Sequence, residues 1–251
     1  MHLRQALFVT ATLIAFVAPQ LVLAEAALRM AETADMAKMA PPVPKDGPKV
    51  IAECAAVKCT TIDLTHALEA DYSTLAGMPH IDRLMVSYTD LSSLDPLLAM
   101  TQLTELHIGG TKVQDLSEIG QFTKLELLHA QGLGLSDISA VGQLGELKEL
   151  VIGSPHLSDI TALKNLHNLK RLDLTGAPVS DISALTALSN LETIELLNMS
   201  QLKDISPLLD LPNLKHVSVT VANLDAAGQD VVARLKAKGI HVQAFDMMAV
   251  C

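Results

Sequence analysis

The stretch TGAPVSDISALTAL, Thr175 to Leu188, occurs three times in nearly the same form at intervals of 22 residues. The earlier copies are GSPHLSDITALKNL at 153–166 and QGLGLSDISAVGQL at 131–144. Self-similarity at a fixed period of this size is the signature of stacked repeats, in which each unit buries its apolar side against the next. The same frame runs from Val57 to Leu211, so the period predicts a solenoid.

Each unit has two halves with different apolar spacing. The first half alternates apolar and other residues, as at Leu172 and Leu174, which is typical of a half-buried strand. The second half places apolar residues every third position, as at Val179, Ile182 and Leu185, which fits tight 3₁₀ or brief helical turns. Every coil is therefore predicted to contain one short strand followed by short turns.

A short polar residue stands at the start of the second half of most units. A side-chain acceptor at this place can satisfy free N–H groups of the turn that follows. We therefore interpret the column as structural rather than catalytic. Its members are Asp115, Asp137, Asp159, Asp181 and Asp204, with Ser93 in the second unit.

The L-x-x-L-x-L frame at Leu169, Leu172 and Leu174 and the V-S-D-I-S-x-L-x-x-L second half resemble the leucine-rich repeat family. The resemblance covers roughly three quarters of the chain and is to the 22-residue type found in bacterial internalins and in related phosphatase-binding proteins. It implies an α/β leucine-rich repeat solenoid with a parallel β-sheet on the concave face and short 3₁₀ or helical turns on the convex face. It also implies a bacterial exported protein that binds another protein.

The chain departs from the family at the ninth position of the frame, where members often carry Asn. Only two residues in this column can donate or accept a hydrogen bond. We therefore expect no continuous polar ladder here, and expect the backbone of the later units to find other partners. The column reads Thr89, Thr111, Leu133, Pro155, Ala177 and Met199.

The ends of the chain differ from the repeats. Residues 1–24 carry one Arg, an apolar run and small residues at the end, which predicts a signal peptide, with an uncleaved membrane anchor as the alternative. Export would make the protein periplasmic or secreted. The predicted order is signal peptide 1–24, flexible linker 25–50, N-terminal cap 51–56, leucine-rich repeats 57–224, and a C-terminal capping helix, strand and tail 225–251.

Composition and charge narrow the range of partners. The chain is 49% apolar but only 2% aromatic, so its core must be aliphatic. A net charge of −10 repels phosphate backbones and anionic membrane surfaces, so we expect no nucleic acid partner. Membrane contact is expected only if the signal segment stays uncleaved.

Three cysteines follow the apolar N-terminus. In an oxidising compartment Cys54 and Cys59 could form a disulfide at the entry to the fold, and two buried thiols are the alternative. Cys251 is the last residue, too far from this pair to reach it. It is expected to be a free thiol or to form an intermolecular disulfide.

The outward-facing strand positions predict the functional surface, because such proteins use them for recognition. The leading hypothesis is a non-enzymatic scaffold that binds a protein partner of unknown identity. Interfaces favour Tyr and Arg as anchors, so Tyr88, Arg83 and Arg171 are the best candidates. The full set of predicted partner-binding residues is Arg83, Met85, Tyr88, Glu105, His107, His129, Glu149, Arg171, Asp173 and Glu195.

Two other hypotheses stay open. The adjacent His107 and His129, with Glu105 and Glu149 on the same face, could bind a divalent metal. The protein could instead be an envelope-associated structural protein, anchored or dimerised through its termini.

An enzyme is not expected. Ser154, His156 and Asp159 have the residue types of a hydrolytic triad, but no G-x-S-x-G elbow is present and Asp159 belongs to the capping column. We therefore expect no catalytic residue, no cofactor and no small-molecule substrate.

Overall fold

A computed structural model describes residues 42–246 of the 251-residue chain. From Pro44 to Asp246 the chain forms a solenoid whose nine-stranded sheet is parallel throughout, with successive strands paired in chain order. The sheet strands are β2 (Thr61–Asp63), β4 (Arg83–Met85), β5 (Glu105–His107), β6 (Leu127–His129), β7 (Glu149–Val151), β8 (Arg171–Asp173), β9 (Thr193–Leu196), β10 (His216–Thr220) and β11 (His241–Phe245).

The repeat period sets the register of the sheet. Leu106 pairs with Leu128, Leu128 with Leu150 and Leu150 with Leu172, so residues one period apart are direct lateral neighbours. All four side chains are fully buried. Each coil therefore completes the apolar core of the next, and the expected leucine-rich repeat solenoid is confirmed.

The second half of each coil consists of short 3₁₀ segments, as the spacing of three predicts. Their apolar residues, such as Ile119, Leu163 and Leu185, are fully buried against the back of the sheet. The segments are Tyr72–Gly77, Asp95–Leu97, Ile119–Gln121, Ser139–Gln143, Thr161–Asn165, Ser183–Ala187, Ser206–Asp210 and Val221–Asn223.

The predicted capping role of the aspartate column is confirmed. In every one of its coils a carboxylate oxygen of the aspartate accepts a hydrogen bond from the backbone N–H two residues later, at 2.7–2.8 Å. Ser93 differs, because its hydroxyl donates to Asp95 at 3.0 Å instead of accepting from the backbone. We call the side of the solenoid that carries this column the turn face.

The ninth column forms no polar ladder between coils, as expected. The hydroxyls of Thr89 and Thr111 donate to carbonyls of their own coil, at 2.7 and 2.8 Å, while Leu133 and Met199 are buried in the core.

A column of side-chain amides at another position links the coils, and the sequence analysis missed it. Each amide donates at 2.8 Å to a backbone carbonyl of the preceding coil, and the donors are Gln102, Asn168, Asn190 and Asn213.

The N-terminal end is an α-helix, α1 (Gly47–Val57). It begins inside the stretch interpreted as linker, because Asp46 caps it through the N–H of Lys49 and Pro48 occupies the first turn, where proline is tolerated. The structure joins Cys54 and Cys59 in a disulfide with a Cα–Cα distance of 5.1 Å. Beside the helix, β1 (Lys45–Asp46) pairs with β3 (Ala67–Leu68).

The C-terminal end is α2 (Ala226–Ala237) followed by β11. Asp225 caps α2 through the N–H of Gly228 at 2.8 Å, and Leu235 buries its side chain completely. Within residues 42–246 no helix is long and apolar enough to cross a membrane. The predicted signal peptide, most of the linker and Cys251 fall outside the described residues.

Candidate interaction surface

Two columns of outward-pointing strand residues form what we call the strand face. The pairing of the strands places Arg83 beside Glu105, and His107 beside His129, as the repeat frame predicts. The first column is Thr61, Arg83, Glu105, Leu127, Glu149, Arg171, Thr193, His216 and His241. The second is Asp63, Met85, His107, His129, Val151, Asp173, Glu195, Ser218 and Gln243.

Charged and imidazole groups connect five strands of this face, from β5 to β9. Nε2 of His107 donates to Oε1 of Glu105 at 2.6 Å, and Nε2 of His129 donates to Oε1 of Glu149 at 2.9 Å. The two imidazole rings meet edge to face with centroids 4.4 Å apart. Arg171 then donates to the same oxygen of Glu149 at 3.3 Å. The sequence predicted which residues are neighbours, but not this order of bonds.

Arg171 is the centre of the charged groups. Burial alone would lower the pKa of its guanidinium, but the hydrogen bond to Glu195 and the nearby carboxylates of Glu149 and Asp173 raise that pKa above its usual value. Asp173 also accepts a hydrogen bond from the N–H of Thr175 at 2.8 Å. Arg171 therefore stays cationic and holds carboxylates of two neighbouring strands.

Fewer charged side chains form pairs on β2 and β4, the first two strands of the strand face. Lys45 lies 2.5 Å from the carboxylate of Asp63. Burial would raise the pKa of Asp63, but the hydrogen bonds from Lys45 and Thr65 outweigh it and lower the pKa. In the described part of the chain, the acid that pairs with Arg83 is Asp82, at 3.7 Å, and Met85 is half-buried beside His107.

Tyr88 lies beyond the end of β4 on the rim of the sheet rather than within the two columns. It is 56% exposed and adopts a left-handed backbone conformation with φ of 57°. Its ring stacks on His66, one period earlier, with centroids 4.8 Å apart and an angle of 6° between the planes. The sequence analysis missed His66, although the 22-residue spacing between two aromatic rings was a usable signal.

A shallow groove crosses β4 to β7 along the first column. Arg83, Glu105, Leu127 and Glu149 line it, and Glu126 and Lys148 lie at its edge. Lys148 pairs with Glu126 at 2.7 Å, so that cation is already neutralised within the protein. Leu127 is half-buried and lies between the two acidic strands.

The residues considered for metal binding and for hydrolysis are not arranged for either role. In the part of the chain that the structure describes, no three or more His, Cys, Asp or Glu side chains are placed to hold a metal ion. Ser154 is buried and its hydroxyl donates to the carbonyl of Leu135 at 2.8 Å, while Asp159 accepts the N–H of Thr161. These bonds occupy both outer members of the hypothetical triad.

Comparison with solved structures agrees with this architecture. The chain is similar to an internalin (inlF) from Listeria monocytogenes, with a TM-score of 0.64 and 23% identity over 75% of this chain and 56% of the internalin. It is also similar to a leucine-rich repeat protein from Leptospira interrogans, with a TM-score of 0.56 and 18% identity over 68% of this chain and 50% of that protein. No protein-family model and no curated protein sequence matches the chain.

At these low sequence identities, the structural similarity establishes the fold of the chain. The chain is a leucine-rich repeat solenoid of the 22-residue type, with a parallel sheet and short 3₁₀ turns. It spans about half of the length of the internalin and of the Leptospira protein.

Proposed function

We propose that the protein is an exported, non-enzymatic scaffold that binds a protein partner through its strand face. The observation that carries this proposal is the contrast between a nearly invariant core and strand-face columns that change from coil to coil. A packed aliphatic core fixes the backbone, so the outward positions are free to vary without loss of fold. Variation on a rigid surface is what specific recognition requires.

The size of the surface supports the same conclusion. Nine strands at ~4.8 Å spacing extend the strand face over ~40 Å, which is long enough for a protein interface of standard size. The face mixes carboxylates, imidazoles and arginines with apolar residues such as Met85 and Leu127. The internalin-like structural neighbours are consistent with a binding role rather than with catalysis.

The absence of an enzyme activity is part of the proposal. Binding through many shallow contacts needs no deep cavity, and the polar groups of the strand face are bonded to one another. His107 and His129 each donate to a carboxylate, and in this proposal they act as parts of the polar recognition surface.

Export is supported by two features of the chain. The disulfide between Cys54 and Cys59 suits an oxidising compartment, since intracellular proteins seldom keep such bonds. The apolar residues 1–24 have the order of charge and hydrophobicity expected of a signal peptide. We therefore propose a periplasmic or secreted location. Anchoring or dimerisation through the termini stays a prediction, and a doubled mass on a non-reducing gel would indicate a dimer linked through Cys251.

The test is an affinity capture from the native envelope with matched charge-reversal variants. The triple variant R83E/E105K/R171E changes three strand-face charges, and we expect it to lose the captured partner. The control K112E/E118K/K164E reverses the same number and signs of charge away from the strand face. Capture that survives in the first variant, or fails equally in both, would show that the strand face is not the recognition surface.

A further inference from the structure

The first column of the strand face has an ordered charge pattern around Leu127. Across β4 to β8 the residues are Arg83, Glu105, Leu127, Glu149 and Arg171, so an apolar centre is flanked by two carboxylates and then by two guanidinium groups. Two strand spacings separate Glu105 from Glu149, which is ~10 Å. This leaves room for one ligand group above Leu127.

The cations around this groove already have acidic partners. Lys148 lies 2.7 Å from Glu126, Arg83 lies 3.7 Å from Asp82, and Arg171 donates to both Glu149 and Glu195. Two carboxylates, Glu149 and Glu195, share the single guanidinium of Arg171, and the hydrogen bond of Glu105 is to His107 rather than to Arg171. Excess negative charge therefore remains at the centre of the groove.

Glu105 and Glu149 each keep one oxygen available. Only Oε1 of each carboxylate is used, by His107 in one case and by His129 and Arg171 in the other. Among the residues that the structure describes, none donates a hydrogen bond to the second oxygen of either carboxylate. The imidazoles fix the two carboxylates from one side, and the free oxygens remain as acceptors for a ligand that carries N–H donors.

A second copy of this chain is a poor occupant of the groove. If two copies met face to face over Leu127, a two-fold axis parallel to the strands would place Glu105 against Glu149 of the second copy, and one perpendicular to the strands would place it against Glu105. Carboxylates without a cation between them repel each other when water is removed. A partner of opposite charge is required instead.

We propose that Leu127, Glu105 and Glu149 form a subsite for an arginine or lysine side chain on a basic segment of the protein partner. The proposal rests on the strand face being the recognition surface. The aliphatic stem of the basic side chain lies on Leu127, and its cationic head donates to the free oxygens of both carboxylates. The net charge of −10 attracts such a segment from a distance.

The direct test uses a capped tetra-arginine peptide as probe and the methyl signals of isotope-labelled leucine as the readout. We expect the Leu127 signal to shift on titration. In the variant E105Q/E149Q, affinity for the peptide should fall at least tenfold. The control E69Q/E146Q removes the same charge from exposed carboxylates outside the groove, and should change affinity less than twofold. A capped tetra-glutamine peptide should produce no shift.

Two outcomes would overturn the subsite. An unmoved Leu127 signal would place the peptide elsewhere, and equal weakening in both double variants would show a general effect of net charge. L127S keeps both carboxylates and is the second variant, expected to bind the peptide at least fivefold more weakly. Partner capture that survives in E105Q/E149Q but fails in R83E/E105K/R171E would overturn this subsite and leave the wider strand-face proposal standing.

Discussion

The turn face and the strand face are built from the same 22-residue period, but they differ in how strictly they repeat. On the turn face, Asp115, Asp137, Asp159, Asp181 and Asp204 make the same bond to the backbone. On the strand face, the central positions change from glutamate to leucine and back to glutamate in three successive coils. A side chain that builds the coil must recur, whereas one that faces a partner need not. The two faces should therefore respond differently to substitution.

The largest effect on the free energy of unfolding is expected in the core, which supports both faces. Leu150 is fully buried between Leu128 and Leu172, so L150A should lower the free energy of unfolding by about 2–5 kcal/mol through lost burial and a residual cavity. The measurement is urea unfolding followed by circular dichroism. Leu127 is the control, because it lies on the neighbouring strand but points outward. If L127A cost as much as L150A, the two sides of the sheet would not differ as the structure places them.

A smaller effect is expected at the corner between the faces. Gly176 has φ of 80°, and a Cβ there would meet no atom within 4 Å, so G176A adds only the strain of a left-handed backbone. We expect a loss of about 1 kcal/mol of unfolding free energy. Gly134 also has open space but no positive φ, and G134A should be neutral or stabilise the fold. Equal effects at both positions would contradict a conformational cause.

Acid should weaken the hydrogen bonds of the turn face. Hydrogen bonds from the hydroxyl and N–H of Ser139, Thr161 and Ser183 lower the pKa of Asp137, Asp159 and Asp181. A carboxyl whose folded pKa lies below its unfolded value of about 3.9 stabilises the fold above that value. This contribution is lost as the pH falls through the folded pKa.

The measurement is the free energy of unfolding at pH 5 and at pH 3. Wild-type protein should lose more stability between them than the variant D137N/D159N/D181N, which has no such carboxylates to protonate. E146Q, at an exposed glutamate with no hydrogen-bond partner in the structure, should keep the wild-type pH dependence. If the triple variant lost as much stability as the wild type between pH 5 and pH 3, the aspartates would not be the cause of the loss. The triple variant should still lose some stability at pH 3, and Asp63 and Glu192, whose pKa values are also lowered, account for part of that loss.

The period predicted those parts of the structure that depend on backbone repetition. The neighbours His107 and His129, the turns and the capping aspartates all follow from the 22-residue frame. The frame alone could not predict which side chains bond, because the contacts of Glu149 with His129 and Arg171 depend on side-chain rotamers that the repeat does not determine. The helix at Gly47–Val57 was missed because its prolines were read as a linker. The amide column was not predicted because its residues do not stand at the family's usual ninth position.

The smallest effect on stability is expected at the subsite itself, where the effect on binding should be largest. Glu105 and Glu149 are partly exposed, with side chains 28% and 27% accessible, so their bonds to the histidines compete with water. E105Q/E149Q should change the free energy of unfolding by less than about 1 kcal/mol, while the affinity for a basic peptide falls. Urea unfolding of this variant beside D137N/D159N/D181N, at neutral pH, gives the comparison. If the strand-face variant were the less stable of the two, those carboxylates would belong to the architecture of the coil, and their variation between coils would need another explanation.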